Sequence, residues 1–391
     1  MKAVLHIGAE KTGTTALQAF LADNRAALPA EGYAYLQSAG LPYNRKLATY
    51  CFNEDRSDDH HQVLGIVDAD KRRPWAEQFC RDLDEEIRSL PESVHTVIFS
   101  SEHFHSRLFH IEEIQRLKDL LSPYFESFSV VCYLRRQDQM ATSLYSTALK
   151  CGHSFPSILP GVTAQDHYYN AEVLLDKWAE VFGESHIHPR VFDRAEMIDG
   201  DLLKDFLHTA GVDLRLDDKR LPGRQNESLE PVAQQFLHAI NPQVPMMLDG
   251  HFNPLREKLT RHLEANFSGK PQLPLRDEAE AFCAKFADSN ARVAQKWFGR
   301  NELFASDFSA YPVRGEVQAP SFGEGVEVAA AVLNGVMQEQ RASAEALKAA
   351  LEADPESATR LIADYFSAVH PGVANYLRKH LALRATASKA A

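Results

Sequence analysis

The sequence predicts an α/β fold, a parallel sheet with helices on both faces, followed by a helical C-terminal region. Three observations carry that expectation. Short apolar runs recur over the first half of the chain, each rich in β-branched or aromatic residues and closed by polar punctuation. Helical periodicity fills the gaps between them, and strand alternating with helix implies a parallel sheet covered on both sides. Beyond Pro231 the strand-like runs stop and helical spacing continues.

The four runs are Ala3 to Ile7, His95 to Ser100, Ser129 to Leu134 and Pro189 to Phe192. Among the intervening helices, Thr15 to Leu28 sets Leu17, Phe20, Leu21 and Leu28 on one stripe and stops before Pro29. Ile111 to Leu121 stops before Pro123, and Asp138 to Lys150 and Ala171 to Phe182 read the same way. Later come Pro231 to Ile240, Leu255 to Ala265 and Glu278 to Phe298, separated by Pro- and Gly-containing segments. A link over Arg314 to Gly325 leads to Ala-rich helical stretches at Val326 to Leu351 and Pro355 to Leu383. The expected division is therefore a main domain over 1–313 and an extension over 314–391, the latter a packing or self-association hairpin.

Composition narrows the function. Hydrophobic residues make up 45% and charged residues 25% of 391, ordinary values for a folded chain. A net charge of −12 argues against a nucleic-acid partner held on a broad basic face, though a small anion needs only a local focus of donors. The five cysteines show no CxxC pair, so neither a disulfide framework nor a metal site is read, and a reducing, cytoplasmic setting is expected. The N-terminus runs directly into a strand without the series of a signal peptide, and no run approaches the roughly 18 apolar residues of a spanning helix.

The first strand leads into Gly8-Ala9-Glu10-Lys11-Thr12-Gly13-Thr14-Thr15, with a helix at once behind it. Strand, glycine-bounded loop and helix N-terminus cradle phosphate, because loop N–H groups and the first-turn N–H groups point at one anion. Gly8 and Gly13 allow close backbone approach, Lys11 adds a charge, and Thr12, Thr14 and Thr15 add hydroxyls. A kinase or NTPase loop reads G-x-x-x-x-G-K-[ST]; here Thr14 takes the Lys position and Lys11 stands three residues earlier. The third strand runs into Arg135, and Ser143 follows eight positions later on a helix, a guanidinium and a hydroxyl able to hold a second phosphate. Arg136 competes for the first role, and Asp138 reads as a helix N-cap.

These two motifs together resemble the sulfotransferases that use 3′-phosphoadenosine-5′-phosphosulfate (PAPS), whose 5′-phosphosulfate loop is commonly K-[ST]-G-T-T on a P-loop-NTPase-like sheet. HIGAEKTGTTALQAFL is most similar to the bacterial, carbohydrate-directed branch. The resemblance implies that Lys11 contacts the 5′-phosphate and bridging oxygen, that the Thr pair binds the same phosphate, and that Arg135 with Ser143 binds the 3′-phosphate. It also places Arg224, in a polar cluster with Gln225, Asn226 and Ser228, toward the 3′-phosphate, although the family's R-K-G form is absent there. The implied reaction is metal-independent in-line transfer of a sulfuryl group to an acceptor hydroxyl, with a carbohydrate or glycoconjugate as acceptor.

The hydroxyl must lose a proton, which calls for a carboxylate or imidazole within reach. The second strand ends in Ser100-Ser101-Glu102-His103. Glu102 is the first candidate base because it aligns with the relatives' base, with His103 in reserve; the plain alternative is Glu102 capping the next helix. Tyr168 and Tyr169 read as core or rim aromatics. Acceptor-binding loops are expected at Tyr43 to Arg73 and Gly152 to Tyr169. Two competing classes are a P-loop kinase or NTPase, and a nucleotide- or glycan-binding protein without catalysis.

Overall fold

The computed structural model describes residues 1–216, 219–221, 228–248, 251–314 and 320–353. Its elements run β1 (Lys2–His6), α1 (Thr14–Asp23), β2 (Tyr33–Tyr35), α2 (Arg45–Cys51), α3 (Asp59–Leu64), α4 (Ala69–Arg88), β3 (Thr96–Ser100), α5 (His103–Arg107), α6 (Ile111–Leu121), β4 (Ser127–Leu134), α7 (Gln137–Lys150), α8 (Ala171–Phe182), β5 (Ile187–Val191) and α9 (Leu202–Ala210). There follow α10 (Pro231–Ile240), the short strands β6 (Met247–Leu248) and β7 (His251–Phe252), α11 (Pro254–Asn266), α12 (Arg276–Ala284), α13 (Ala287–Val293) and α14 (Phe322–Ala353).

Five strands form one parallel sheet in the order β2-β3-β1-β4-β5. Strand side chains alternate between faces, and two cores result. Ala3 and Leu5 of β1, Val97 and Phe99 of β3, and Val130 and Cys132 of β4 pack with α2, α4, α6 and α8 on one face. Val4, Ile98, Val131 and Tyr133 pack with Leu17, Phe20 and Leu21 of α1 and Phe206 of α9 on the other. Each fully buried Leu or Phe here contributes about 2 kcal/mol through removal from water. The predicted α/β fold, with helices on both faces of a parallel sheet, is what the chain adopts.

Three local differences from the sequence reading have physical causes. β2 is a fifth strand that the reading missed, because three residues are too few to show a period. The segment expected as a loop over Tyr43 to Arg73 holds α2, α3 and the start of α4. α4 is overwhelmingly charged and buries only Phe79, Leu83 and Ile87 on a narrow stripe, which hid it from an apolar-pattern search. The single helix expected over Glu278 to Phe298 is broken into α12, α13 and a π-turn, with Phe286 at the break turned into an aromatic cluster with Phe282 and Tyr169.

By its internal contacts the chain divides into a unit of Met1–Tyr145, Pro156–Asn226 and Leu273–Val317, and a unit of Ser146–Phe155, Glu227–Gln272 and Gln318–Ala391. The first contains the sheet. In the second, Arg256 of α11 is a buried anchor whose guanidinium donates to the Leu149, Lys150 and Val244 carbonyls and to Asn241 Oδ1. No helix of the described residues is long and apolar enough to cross a membrane.

Candidate functional site

β1 is the central strand, and its C-terminal end opens between the ends of β3 and β4, where open parallel sheets hold ligands. Beyond His6 the chain stays beside β4: Ala9 N–H donates to Tyr133 O at 3.0 Å, and Tyr133 N–H to Gly8 O at 2.7 Å. Gly8 has φ of 99°, and a Cβ there would lie 3.3 Å from Glu102 Cα, so the loop and the tip of β3 are in direct contact. Gly13, with φ of 78°, is the N-cap of α1; a Cβ there would come within 2.5 Å of Leu202 Cδ2. Having no side chain, it leaves the first-turn N–H groups of α1 uncapped by its own residue, and no acidic side chain stands in that turn. Both facts suit an anion.

Between the glycines the loop is held from within and without. Thr12 is buried, and its hydroxyl donates to Ala9 O at 2.7 Å, so it braces the loop. Lys11 adopts a left-handed backbone with φ of 65°, a conformation that costs a non-glycine residue energy and persists only where neighbours enforce it. Thr14 and Thr15 are the first residues of α1, Thr14 buried and Thr15 half-buried.

Arg135 leaves the end of β4 and donates through Nη1 to Lys11 O at 2.6 Å, with its guanidinium over the Phe192 ring at 5.5 Å. Its Nε is buried without a hydrogen-bond partner among the described residues, and burial holds its pKa below the usual guanidinium range. A desolvated cation of this kind is stabilised by an arriving anion. Arg136 has a different fate. It pairs with Asp138 at 2.8 and 2.9 Å, donates to the Ala305 and Asp307 carbonyls and lies over Phe308 at 4.2 Å. Asp138 is thus an ion-pair partner rather than the N-cap expected, since α7 already begins at Gln137. Ser143 stands half-buried on α7, six residues into the helix. Arg224 lies outside the described residues.

Across the loop, Glu102 occupies the N-cap position of α5, yet its carboxylate makes no cap bond. It accepts from Gln18 Nε2 at 2.5 Å instead. Burial, the largest cause, raises its pKa; Glu10 pushes the same way, while Gln18 and Arg45 oppose. His103 moves in the opposite direction, to about 2, through burial and the nearby Arg45 and Arg107. A carboxyl shifted toward neutrality is suited to accept a proton, and an imidazole shifted that low is not.

Sequence reasoning overlooked Gln18, Glu10 and His105. Gln18 had a visible signal, a fully buried polar residue on the apolar stripe of α1 between Leu17 and Leu21. Among the described residues, no group of three or more His, Cys, Asp or Glu side chains is arranged to hold a metal ion.

No family model matches the chain. An uncharacterized protein of Archaeoglobus fulgidus is 26% identical over 208 residues, which cover 53% of this chain and 55% of that protein, so the match spans only about half the relative's length. Among solved structures, the crystal structure of a sulfotransferase from Alicyclobacillus acidocaldarius is similar over 75% of this chain and 95% of its own, with 16% identity and a TM-score of 0.40.

Proposed function

We propose that the chain is a PAPS-dependent sulfotransferase acting on a hydroxyl of a carbohydrate or glycoconjugate, in a reducing, cytoplasmic setting. The observation that carries this reading is the flanking of one phosphate-type loop by a part-buried arginine, Arg135, on the β4 side and a part-buried carboxyl, Glu102, on the β3 side. The orphaned Arg135 Nε and the first turn of α1, with no side-chain cap and no acidic residue in it, fit a phosphorylated nucleotide.

In this reading Lys11 and the α1 N-terminus hold the 5′-phosphosulfate, with Thr14 and Thr15 supplying hydroxyls, and Arg135 with Ser143 takes the 3′-phosphate. Arg224 is assigned to the same phosphate. Glu102 accepts the acceptor's hydroxyl proton as the new O–S bond forms and the S–O bond to the 5′-phosphate breaks, releasing the desulfated bisphosphate PAP. The sulfuryl group bears less charge than a phosphoryl group, so cationic side chains and N–H donors suffice to stabilise it. Transfer is assigned to 1–313, and packing or self-association to 314–391.

Titration calorimetry tests the reading. PAP is expected to bind the full chain without magnesium; binding of ATP with magnesium, and none of PAP, would replace this assignment with a kinase or NTPase. Transfer of radiolabelled sulfate from PAPS to a panel of sugars, lipids and phenols then identifies the acceptor, and PAP binding with no transfer to any of them would favour a non-catalytic protein.

A further inference from the structure

Glu10, inside the loop, and two residues outside it, His105 and Tyr168, close a ring against the loop. Glu10 N–H donates to His105 Nδ1 at 3.3 Å, which leaves the imidazole proton on Nε2, and Nε2 donates to Tyr168 O at 3.0 Å. Tyr168 Oη donates in turn to Glu10 Oε2. The His105 and Tyr168 rings also pack with centroids 4.7 Å apart, and His105 is 2% exposed. Each member thus gives one hydrogen bond and receives one, and the His105 imidazole cannot turn without breaking two.

The ring's position gives it a task. Glu10 immediately precedes Lys11, whose left-handed backbone is otherwise tethered by Arg135 on its carbonyl side. A left-handed non-glycine residue relaxes unless both sides are held. Tyr168 belongs to the segment between α7 and α8, part of which was expected to face the acceptor.

We infer that Glu10, His105 and Tyr168 are positioning residues that hold Lys11 in its binding conformation and tie the segment carrying Tyr168 to the phosphate loop. The inference rests on reading Gly8 to Thr15 as the PAPS loop. Pre-set geometry of this kind raises affinity by removing an ordering cost at the moment of binding. The hydroxyl of Tyr168 is a dependable donor, since burial and the adjacent Glu10 carboxylate push it well above the usual phenol range.

The test uses the full-length chain with Tyr168→Phe, which keeps the ring stacking, together with Glu10→Ala and Glu10→Gln. Tyr168→Phe and Glu10→Ala are expected to weaken PAP binding about tenfold, the effect of removing one hydrogen bond to a charged group. Glu10→Gln retains an acceptor for Tyr168 and is expected to stay within about twofold of the wild type. Amide hydrogen exchange over residues 8–15, without nucleotide, is expected to quicken in the first two variants and not in the third. A lowered melting temperature with unchanged PAP affinity and unchanged loop exchange would reduce the ring to a structural brace and overturn the inference. If the wild type binds no PAP, the functional reading fails, whereas the exchange comparison still decides whether the ring holds the loop.

Discussion

The ends of β1 and β3 are neighbours in the sheet and touch at Gly8 and Glu102, but they are built in contrasting ways. At the end of β1 the backbone is committed: the Gly8, Ala9 and Lys11 carbonyls each accept a bond, and the Ala9 and Glu10 N–H groups each donate one. At the end of β3 and the start of α5, Ser101 Oγ, His103 Nδ1 and Ser106 Oγ, and on α1 Gln18 Oε1, are buried with no partner among the described residues. Orphaned buried groups cost stability and call for a reason. In the proposed reaction the committed backbone at the end of β1 would fix the leaving end, and the partly desolvated Glu102 carboxyl at the end of β3 would take the proton.

The sharpest way to break this contrast is Glu102→Gln. In the proposed reaction it is expected to lower sulfate transfer about 100- to 10,000-fold, the usual contribution of a general base, while PAP affinity measured by calorimetry stays near wild type; full turnover would remove Glu102 from the role. A smaller effect separates the two adjacent arginines. Arg136→Ala strands the fully buried Asp138 and is expected to cost about 3 kcal/mol in chemical denaturation, whereas Arg135→Ala is expected to cost less stability and to abolish detectable PAP binding.

The mildest effect lies in pH. The folded pKa of Glu102 exceeds its usual 4.5, so the folded state binds this proton more tightly than the unfolded chain. The resulting stabilisation is complete below the unfolded value and is lost as pH rises through the folded one. Glu102→Gln is therefore expected to melt at a higher temperature than the wild type at neutral pH, with the gap closing toward pH 4. The wild-type transfer rate should fall on the acid side at a pH above the ordinary carboxylate range, because the base must be ionised.

How much of this was legible follows from the range of each signal. The phosphate loop could be read because its requirements are local: two glycines five residues apart, a preceding strand and a following helix. Arg135 could be chosen over Arg136 only by the spacing to Ser143, since the commitment of Arg136 to carbonyls near residue 306 depends on a contact some 170 positions away. The ring of Glu10, His105 and Tyr168 was hidden for the same reason, because its members meet only once the sheet has assembled, and the partner of Gln18, though not its odd place on an apolar stripe, was hidden likewise. Tyr168, read as a core or rim aromatic, carries a hydroxyl bond to the loop that no periodicity announces.

The order of the sheet has a bearing on how the protein is made. Of the five strands of the sheet the innermost comes first in the chain, while the strands on either side of it come from Thr96–Ser100 and Ser127–Leu134. A ribosome must therefore travel more than a hundred codons before β1 can be enclosed, and an uncovered strand edge is prone to pair with other chains in the interval. Premature termination anywhere before the fourth strand would leave β1 with an unpaired edge open to other chains.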